Sequence, residues 1–352
     1  MTPRKPAAPS KTTSRKQEHV ELTLHSDVGF RTKTTHLERW TFQHNALPEL
    51  SVEEIDLSVS FLGRKLGLPL MVSCMTGGYA GALEINRGLA GVCEEFGLAM
   101  GVGSQRQALE STLHHRTFSV VREAAPTIPV IGNLGAAEVA ALSSADPVRR
   151  LADLVRADAF AVHLNPLQEF LQPEGTPDFR GVLRGIGMLV RDLPLPLIVK
   201  EIGAGISGDV ARRLLETGVR IIDVAGAGGT SWAGVEALRG TESAFAERFW
   251  DWGIPTADAV REVAAIRRDP AEFTLIASGG IGSGSDAAKC IALGADLAAS
   301  ARPFLQALTT GGREGLCRLL RDWAREMRGI MFLTGSRTVR DLHHADIREE
   351  HR

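Results

Sequence analysis

The chain has 352 residues, of which 44% are hydrophobic, and 40 Lys and Arg against 42 Asp and Glu leave a formal net charge of -2. That length suffices for one large barrel or two ordinary domains, and the even charge balance gives no overall electrostatic case for binding nucleic acid or a membrane surface. The 37 glycines, the 5% aromatic content and the single tyrosine suit an α/β protein with glycine turns close to phosphates better than a platform for stacking bases.

Residues 1–14 are rich in Pro, Ser, Thr and Lys and offer little to bury, so they read as a disordered lead. Arg15, Lys16 and His19 follow. As a solvated tail they would do nothing, but together a guanidinium and an ammonium suit a polyphosphate. Residues 15–67 show short mixed elements without a repeat and read as an N-terminal arm and extension over a barrel end. No apolar run in the chain is long enough to span a bilayer, and the first two dozen residues lack the apolar core of a signal peptide, so a cytoplasmic location is expected. Cys74, Cys93, Cys290 and Cys317 are widely spaced without a CxxC pair, which argues against a zinc site or a disulfide framework.

From Leu68 a rhythm sets in. Apolar, strand-like runs fall at Pro69–Ser73, Leu98–Gly101, Ile128–Asn133, Ala159–His163, Pro196–Lys200, Arg220–Ala225, Phe273–Ser278 and Asp296–Ser300. Helical periodicity lies between most of them, as in Leu83–Phe96, Asp146–Arg156, Asp209–Thr217 and Ser285–Leu293. Eight βα units predict a (β/α)8 TIM barrel over 68–340, with an elaborated loop after the sixth strand and a polar tail over 341–352. A doubly wound sheet would more naturally carry a dinucleotide fingerprint after its first strand, where this chain has Met75-Thr76-Gly77-Gly78.

In such a barrel the chemistry sits at the C-terminal ends of the strands. The fourth run ends in His163-Leu164-Asn165-Pro166-Leu167-Gln168-Glu169, where proline stops the strand and presents an imidazole, two carboxamides and a carboxylate. Lys200 closes an apolar strand, and its ammonium needs an anionic partner such as Glu201 or Asp223, a flavin edge or a phosphate. Asn133 fits a carboxamide reading a ring edge or a buried turn. The loops Ser278-Gly279-Gly280-Ile281-Gly282 and Ala301-Arg302-Pro303 have the order and composition of a barrel's phosphate cup.

Taken together, Arg15-Lys16-x-x-His19, Met75-Thr76-Gly77-Gly78, Gly103-Ser104-Gln105-Arg106, Asn133-Leu134-Gly135, His163 to Glu169, Lys200 to Ser207, Ser278 to Ile281 and Met331 to Gly335 resemble the type 2, FMN-dependent isopentenyl diphosphate isomerases from about residue 15 to 335. Two positions depart from that pattern: Cys74 stands where alanine is common, and Gly282 where an arginine often follows the isoleucine. The resemblance implies interconversion of isopentenyl and dimethylallyl diphosphate with reduced FMN, Mg²⁺ and NADPH as reductant, in a homo-oligomer, tetramer or octamer. It assigns the diphosphate end to Arg15, Lys16, His19, Ser104, Arg106, His163, Asn165 and Ser207. Gln168 and His163 take the catalytic positions, and Glu169 holds the metal. FMN falls to Cys74, Met75, Thr76, Gly77, Ser104, Asn133, Lys200, Thr230, Gly279, Gly280, Ile281, Gly282, Ala301 and Arg302.

Two rival readings remain. An FMN-dependent 2-hydroxy acid oxidase or dehydrogenase needs a His with a neighbouring Arg after the sixth or seventh strand, and the Gly/Ala-rich run 223–232 has neither. A non-catalytic phosphate-binding barrel would recruit nucleic acid through residues 4–16, with five Lys/Arg and no acid, and would lose it with salt.

Overall fold

A computed structural model describes residues 11–240, 243–268 and 272–350. Twelve strands run in chain order: β1 (Trp40–Phe42), β2 (Val59–Phe61), β3 (Arg64–Leu66), β4 (Leu70–Val72), β5 (Ala99–Gly101), β6 (Val130–Gly135), β7 (Ala159–His163), β8 (Leu197–Lys200), β9 (Ile221–Asp223), β10 (Thr274–Ser278), β11 (Leu297–Ser300) and β12 (Ile347–Glu349). Strands β4 to β11 close into one barrel, every neighbouring pair parallel. Each barrel strand lies within a predicted run or within two residues of it.

The barrel strands are apolar throughout because both faces are buried, and their alternation decides what fills the centre. Met71, Ala99, Ile131, Ala159, Ala161, Ile198, Ile221, Ile276 and Leu297 pack inside the barrel. Their neighbours Leu70, Val130, Phe160, Val162, Val199, Ile222 and Leu275 face the helices. Two residues beyond an inward position the chain faces inward again. The same period therefore aims Asn133, His163, Lys200, Asp223 and Ser278 into the C-terminal mouth.

The extension closes both ends. The hairpin β2–β3 plugs the N-terminal end, with Phe61 and Leu66 buried against the inward layer and Arg64 Nη2 donating to Asp158 at 2.8 Å. At the other end, the helix Lys11–His25 lies over the mouth of its own barrel. This corrects the expected lead. Residues 1–10 lie outside the described residues, but 11–14 form the first turn of this helix, and Thr13 is buried. Its sequence is polar because the face it lays on the barrel is itself a polar mouth. The expected polar tail is also tied down: β12 pairs antiparallel with β1, Thr41 opposite Arg348.

The long segment between β9 and β10 holds the helices Trp232–Arg239, Ser243–Ala246 and Thr256–Ala264, as the excess length there suggested. Trp250 anchors it, buried with Nε1 donating to Gly29 O at 2.7 Å.

Candidate active site

The strand ends and the arm helix enclose a pocket of about 600 Å³ at the barrel mouth. It is lined by Arg15, Lys16, His19, Cys74 to Gly77, Ser104, Arg106, Asn133, His163, Asn165, Gln168, Glu169, Lys200, Thr230, Gly279 to Ile281, Ala301 and Arg302. Of the residues singled out from sequence, Ser207 and Gly282 are not brought there. The loop after Lys200 lines the pocket as far as Gly203, and beyond it Ser207 Oγ caps the helix Gly208–Glu216 by accepting from Val210 N at 3.3 Å. Gly282 is exposed and its N–H donates to Asp286 Oδ2 at 3.0 Å, so that end of the glycine loop is already satisfied within the chain.

The arm brings two cations, Arg15 and Lys16, and an imidazole whose pKa burial lowers, His19, to the pocket. Lys16 Nζ donates to Gly77 O at 3.0 Å and to Ser104 O, and lies 5.3 Å from the Phe118 ring centre. Burial, with Arg15 adding repulsion, lowers its pKa to about 7. His19 Nε2 pairs with Glu236 Oε1 at 2.9 Å and its ring stands edge-on to Trp232. Arg15 has no hydrogen-bond or ion-pair partner among the described residues. Two half-buried cations side by side at an enclosed pocket favour an anion there.

Opposite the arm, the loop after β7 is wired to itself and to a carboxylate that sequence reasoning missed. Asn165 Nδ2 donates to Gln168 Oε1 and to Glu169 Oε1, both at 3.0 Å. Gln168 Nε2 lies 3.5 Å from Glu236 Oε1, and Glu169 Oε2 accepts from Thr176 N at 2.7 Å. Glu236 is fully enclosed on the helix Trp232–Arg239, where Arg239 Nη1 holds its Oε2 at 2.6 Å. Burial pushes its carboxyl up, and the bonds from His19 and Arg239 more than reverse that, so it is held ionised. In sequence it is one glutamate in an ordinary amphipathic helix, and only the fold reveals that it backs Gln168 and His19. Glu138 was likewise missed. It lines the pocket, pairs with Arg106 Nη1 at 2.9 Å, and burial raises its carboxyl with help from Glu169. Tyr79, the single tyrosine, is buried at the pocket wall with an unpartnered hydroxyl.

His163 is neutral: burial, then Lys200, Lys16 and Arg15, lower its pKa to about 3. Its Nδ1 meets Asn133 Oδ1 at 2.9 Å, so Nδ1 carries the proton and Nε2 keeps its lone pair. The imidazole is therefore an acceptor at Nε2. The Thr76 hydroxyl is bonded to Asn86 Oδ1 and its carbonyl accepts from Gly103 N at 2.7 Å and Asn86 Nδ2 at 3.2 Å, which leaves its backbone N–H for a ligand.

The features needed to hold FMN are present. The N–H groups of Gly279, Gly280 and Ile281 have no acceptor among the described residues, and Arg302 Nε is buried and unpartnered beside them. These are unused donors converging where a phosphate belongs. Gly279 and Gly280 adopt φ of 100° and 69°, and a Cβ on Gly279 would lie 2.0 Å from Gly226 O. Across the mouth, Lys200 and Asn133 supply the polar groups a flavin's pyrimidine edge can bond. For a divalent cation the described residues hold no cluster of three or more His, Cys, Asp or Glu. Glu169, with the unpartnered Asn165 Oδ1 beside it, fits a hard cation that takes its other oxygens from a phosphate and water.

Comparison with known proteins agrees with this geometry. The chain matches the FMN-dependent dehydrogenase family over residues 8–142 and 163–349. It is 47% identical over 349 residues to a protein of Pelodictyon phaeoclathratiforme (strain DSM 5477 / BU-1) named isopentenyl-diphosphate delta-isomerase, covering 96% of this chain and 97% of that one. Proteins of the same name are 50% identical in Chlorobium luteolum (94% of each chain) and 45% identical in Nostoc sp. (98% of each). Among solved structures, a flavocytochrome b2 variant superposes with a TM-score of 0.69 at 20% identity, covering 94% of this chain and 82% of that one. A mandelate oxidase carrying an FMN monooxide adduct gives 0.65 at 19%, over 94% and 95%. Those two likenesses speak to the barrel alone.

Proposed function

The chain belongs to the FMN-dependent dehydrogenase family, and within it to the type 2 isopentenyl diphosphate isomerases; on that premise we propose that it interconverts isopentenyl and dimethylallyl diphosphate, with Mg²⁺ and reduced FMN. The observation that carries the reading is the joining of two anion sites in one pocket: unused backbone donors and Arg302 at one side, and the Arg15, Lys16 and His19 cluster of the arm at another. An enzyme of small 2-hydroxy acids needs only the first.

Shifting a double bond requires a proton delivered to one carbon and another taken from its neighbour. Bound FMN supplies exchangeable nitrogen-borne protons beside an alkene that no ordinary side-chain base could ionise. The chain's own residues do the rest. Arg15, Lys16, His19, Ser104, Arg106 and Asn165 grip the diphosphate, and His163 joins them as that charge raises its proton affinity. Glu169 would hold Mg²⁺, whose charge would offset that of the diphosphate. Gln168 positions the reacting carbons, with Glu236 behind it as the ionisable partner. Lys200 and Asn133 fix the flavin edge, and the arm helix excludes water from the chamber.

The four free thiols suit a reducing cytoplasm, and we assign the enzyme to that compartment, with NADPH as the reductant and a homo-oligomeric assembly. No helix of the described residues is long and apolar enough to cross a membrane. The arm's cations line the pocket instead of an open face, which favours a small diphosphate over nucleic acid.

The direct test is to load the protein with FMN and Mg²⁺, reduce it anaerobically and follow isopentenyl diphosphate by NMR. Formation of dimethylallyl diphosphate supports the reading. Flavin reduction by a 2-hydroxy acid, with no isomerisation, would replace it with the oxidase reading.

Two outcomes follow for single residues. Glu169→Gln keeps the size of the side chain and removes its charge, so Mg²⁺ should half-saturate at a concentration about 30-fold or more higher. An unchanged Mg²⁺ titration would remove Glu169 from the metal. For Lys16, whose pKa burial lowers to about 7, the charged form binds the anion. Rising pH discharges it, so KM for the diphosphate should climb by up to about tenfold per unit above pH 7, until the substrate-bound pKa is reached. A KM profile over pH 6–9 that is equally steep in Lys16→Met would assign the titration elsewhere.

A further inference from the structure

In the barrel register, His163 pairs with Lys200 and Lys200 with Asp223, so three adjacent strands place an imidazole, an ammonium and a carboxylate in one inward row. Asp223 is completely buried, and Lys200 nearly so. Their approach is unusual. Lys200 Nζ stands 3.5 Å from Asp223 Oδ2, close enough for strong attraction but too long for a good hydrogen bond. Asp223 Oδ2 has no hydrogen-bond partner. Its other oxygen is held by Ser278 Oγ at 2.6 Å and by Ala225 N at 3.3 Å, the latter from a residue at φ 40°. Those two donors fix the carboxylate so that it cannot close on the lysine. Lys200 Nζ spends one donor on Glu201 O and lines the pocket.

From this we infer that Asp223 is a positioning and charge-setting residue, a built-in counter-ion that limits how much of the Lys200 charge reaches the flavin. The inference rests on the FMN reading and adds to it. A bare buried ammonium at the flavin edge would hold the reduced cofactor as a firmly bound anion, strongly favouring reduction but making its ring nitrogens reluctant to take up a proton. A fixed carboxylate behind the ammonium replaces a full charge with a pair. That pairing suits an enzyme whose flavin must pass protons and never pass electrons on to its substrate. The other groups facing Lys200 cannot substitute for it. His163 is neutral, Cys74 is a thiol whose pKa burial pushes up to about 12, and the Glu201 carboxylate is turned to the backbone N–H groups of Ile202, Gly203 and Ala204. Asp223 is the carboxylate aimed at the ammonium.

The test is the midpoint potential of protein-bound FMN, read from flavin absorbance in an anaerobic reductive titration against a reference dye. Asp223→Asn should raise it, so that at the wild-type midpoint the ratio of reduced to oxidised flavin rises about tenfold, equivalent to about 30 mV for a two-electron couple. Lys200→Met should lower it, and Lys200→Met/Asp223→Asn should lie above Lys200→Met and bind FMN more tightly than that single variant. Asp223→Glu, which restores the charge, should return the potential towards wild type. A merely structural Asp223 would weaken FMN binding without moving the potential. An unchanged or lowered midpoint in FMN-loaded Asp223→Asn overturns the proposal. If that variant does not fold, a double variant with the same midpoint as Lys200→Met overturns it equally. Failure of the FMN reading itself would look different, as a wild-type chain that takes up no flavin.

Discussion

Deleting residues 1–25 raises KM for the diphosphate by about 100-fold or more, equivalent to about 2.7 kcal/mol, and leaves FMN bound. The arm helix contributes Arg15, Lys16 and His19 to the pocket. A hydrogen bond to a charged group is worth roughly 1.5–3 kcal/mol, and the three together would exceed the predicted loss if each were gained in full. The discount has a structural cause. Lys16 already donates to Gly77 O and Ser104 O, and His19 already pairs with Glu236, so part of what the substrate gains is exchanged for bonds given up. Arg15, with no partner among the described residues, has nothing to give up, and Arg15→Ala should account for the largest single share. The phosphate side of the flavin site should survive because the chain packed on it lies after the cut, where Ser231 N donates to Val28 O and Phe30 N to Gly229 O, and only the Lys16 bonds to Gly77 O and Ser104 O are lost. Steady-state kinetics together with the FMN-to-protein ratio separate the two effects. A truncated chain with unchanged KM would show that the arm is only a cover.

The parts of this molecule legible in sequence are those set by short-range pattern. Eight apolar runs of alternating inward and outward residues specify the barrel, and proline after Asn165 or glycine after Ser278 marks where each strand must stop. Because inwardness repeats every second residue, the mouth-facing identity of His163, Lys200 and Asp223 follows from the strands themselves. Illegible parts depend on which segments meet in space. Ser207 stands within seven residues of Lys200, yet one turn of backbone sends its hydroxyl to cap a helix. The Lys11–Ser14 segment has the composition of a disordered tail, because the surface that orders it is polar. Glu236 sits 68 residues from Gln168 and 217 from His19, and no local signal couples them. The β1–β12 pairing of the two ends of the chain is hidden for the same reason.

Glu236 is where that non-local wiring should matter most for turnover. A carboxamide neither gains nor loses a proton readily near neutral pH, so Gln168 at the reacting carbons needs an ionisable neighbour, and Glu236 Oε1 lies 3.5 Å from its Nε2. The same oxygen fixes His19 of the arm. Glu236→Gln preserves shape and removes the charge, and Arg239 retains Glu18 and Glu174 as ion-pair partners. Turnover should fall by roughly 10²–10³-fold, within the range for loss of a general acid–base group. The sign of the pH dependence follows from the depressed carboxyl pKa. The residue acts as a carboxylate above that value and stops doing so as pH falls through it, so the wild-type kcat profile should carry an acid limb below the usual glutamate range. That limb should vanish in Glu236→Gln, while a merely structural change would lower kcat uniformly and leave the limb in place. Wild-type turnover in the variant, at full FMN content, would exclude Glu236 from the proton's path and leave Gln168 acting with the cofactor alone.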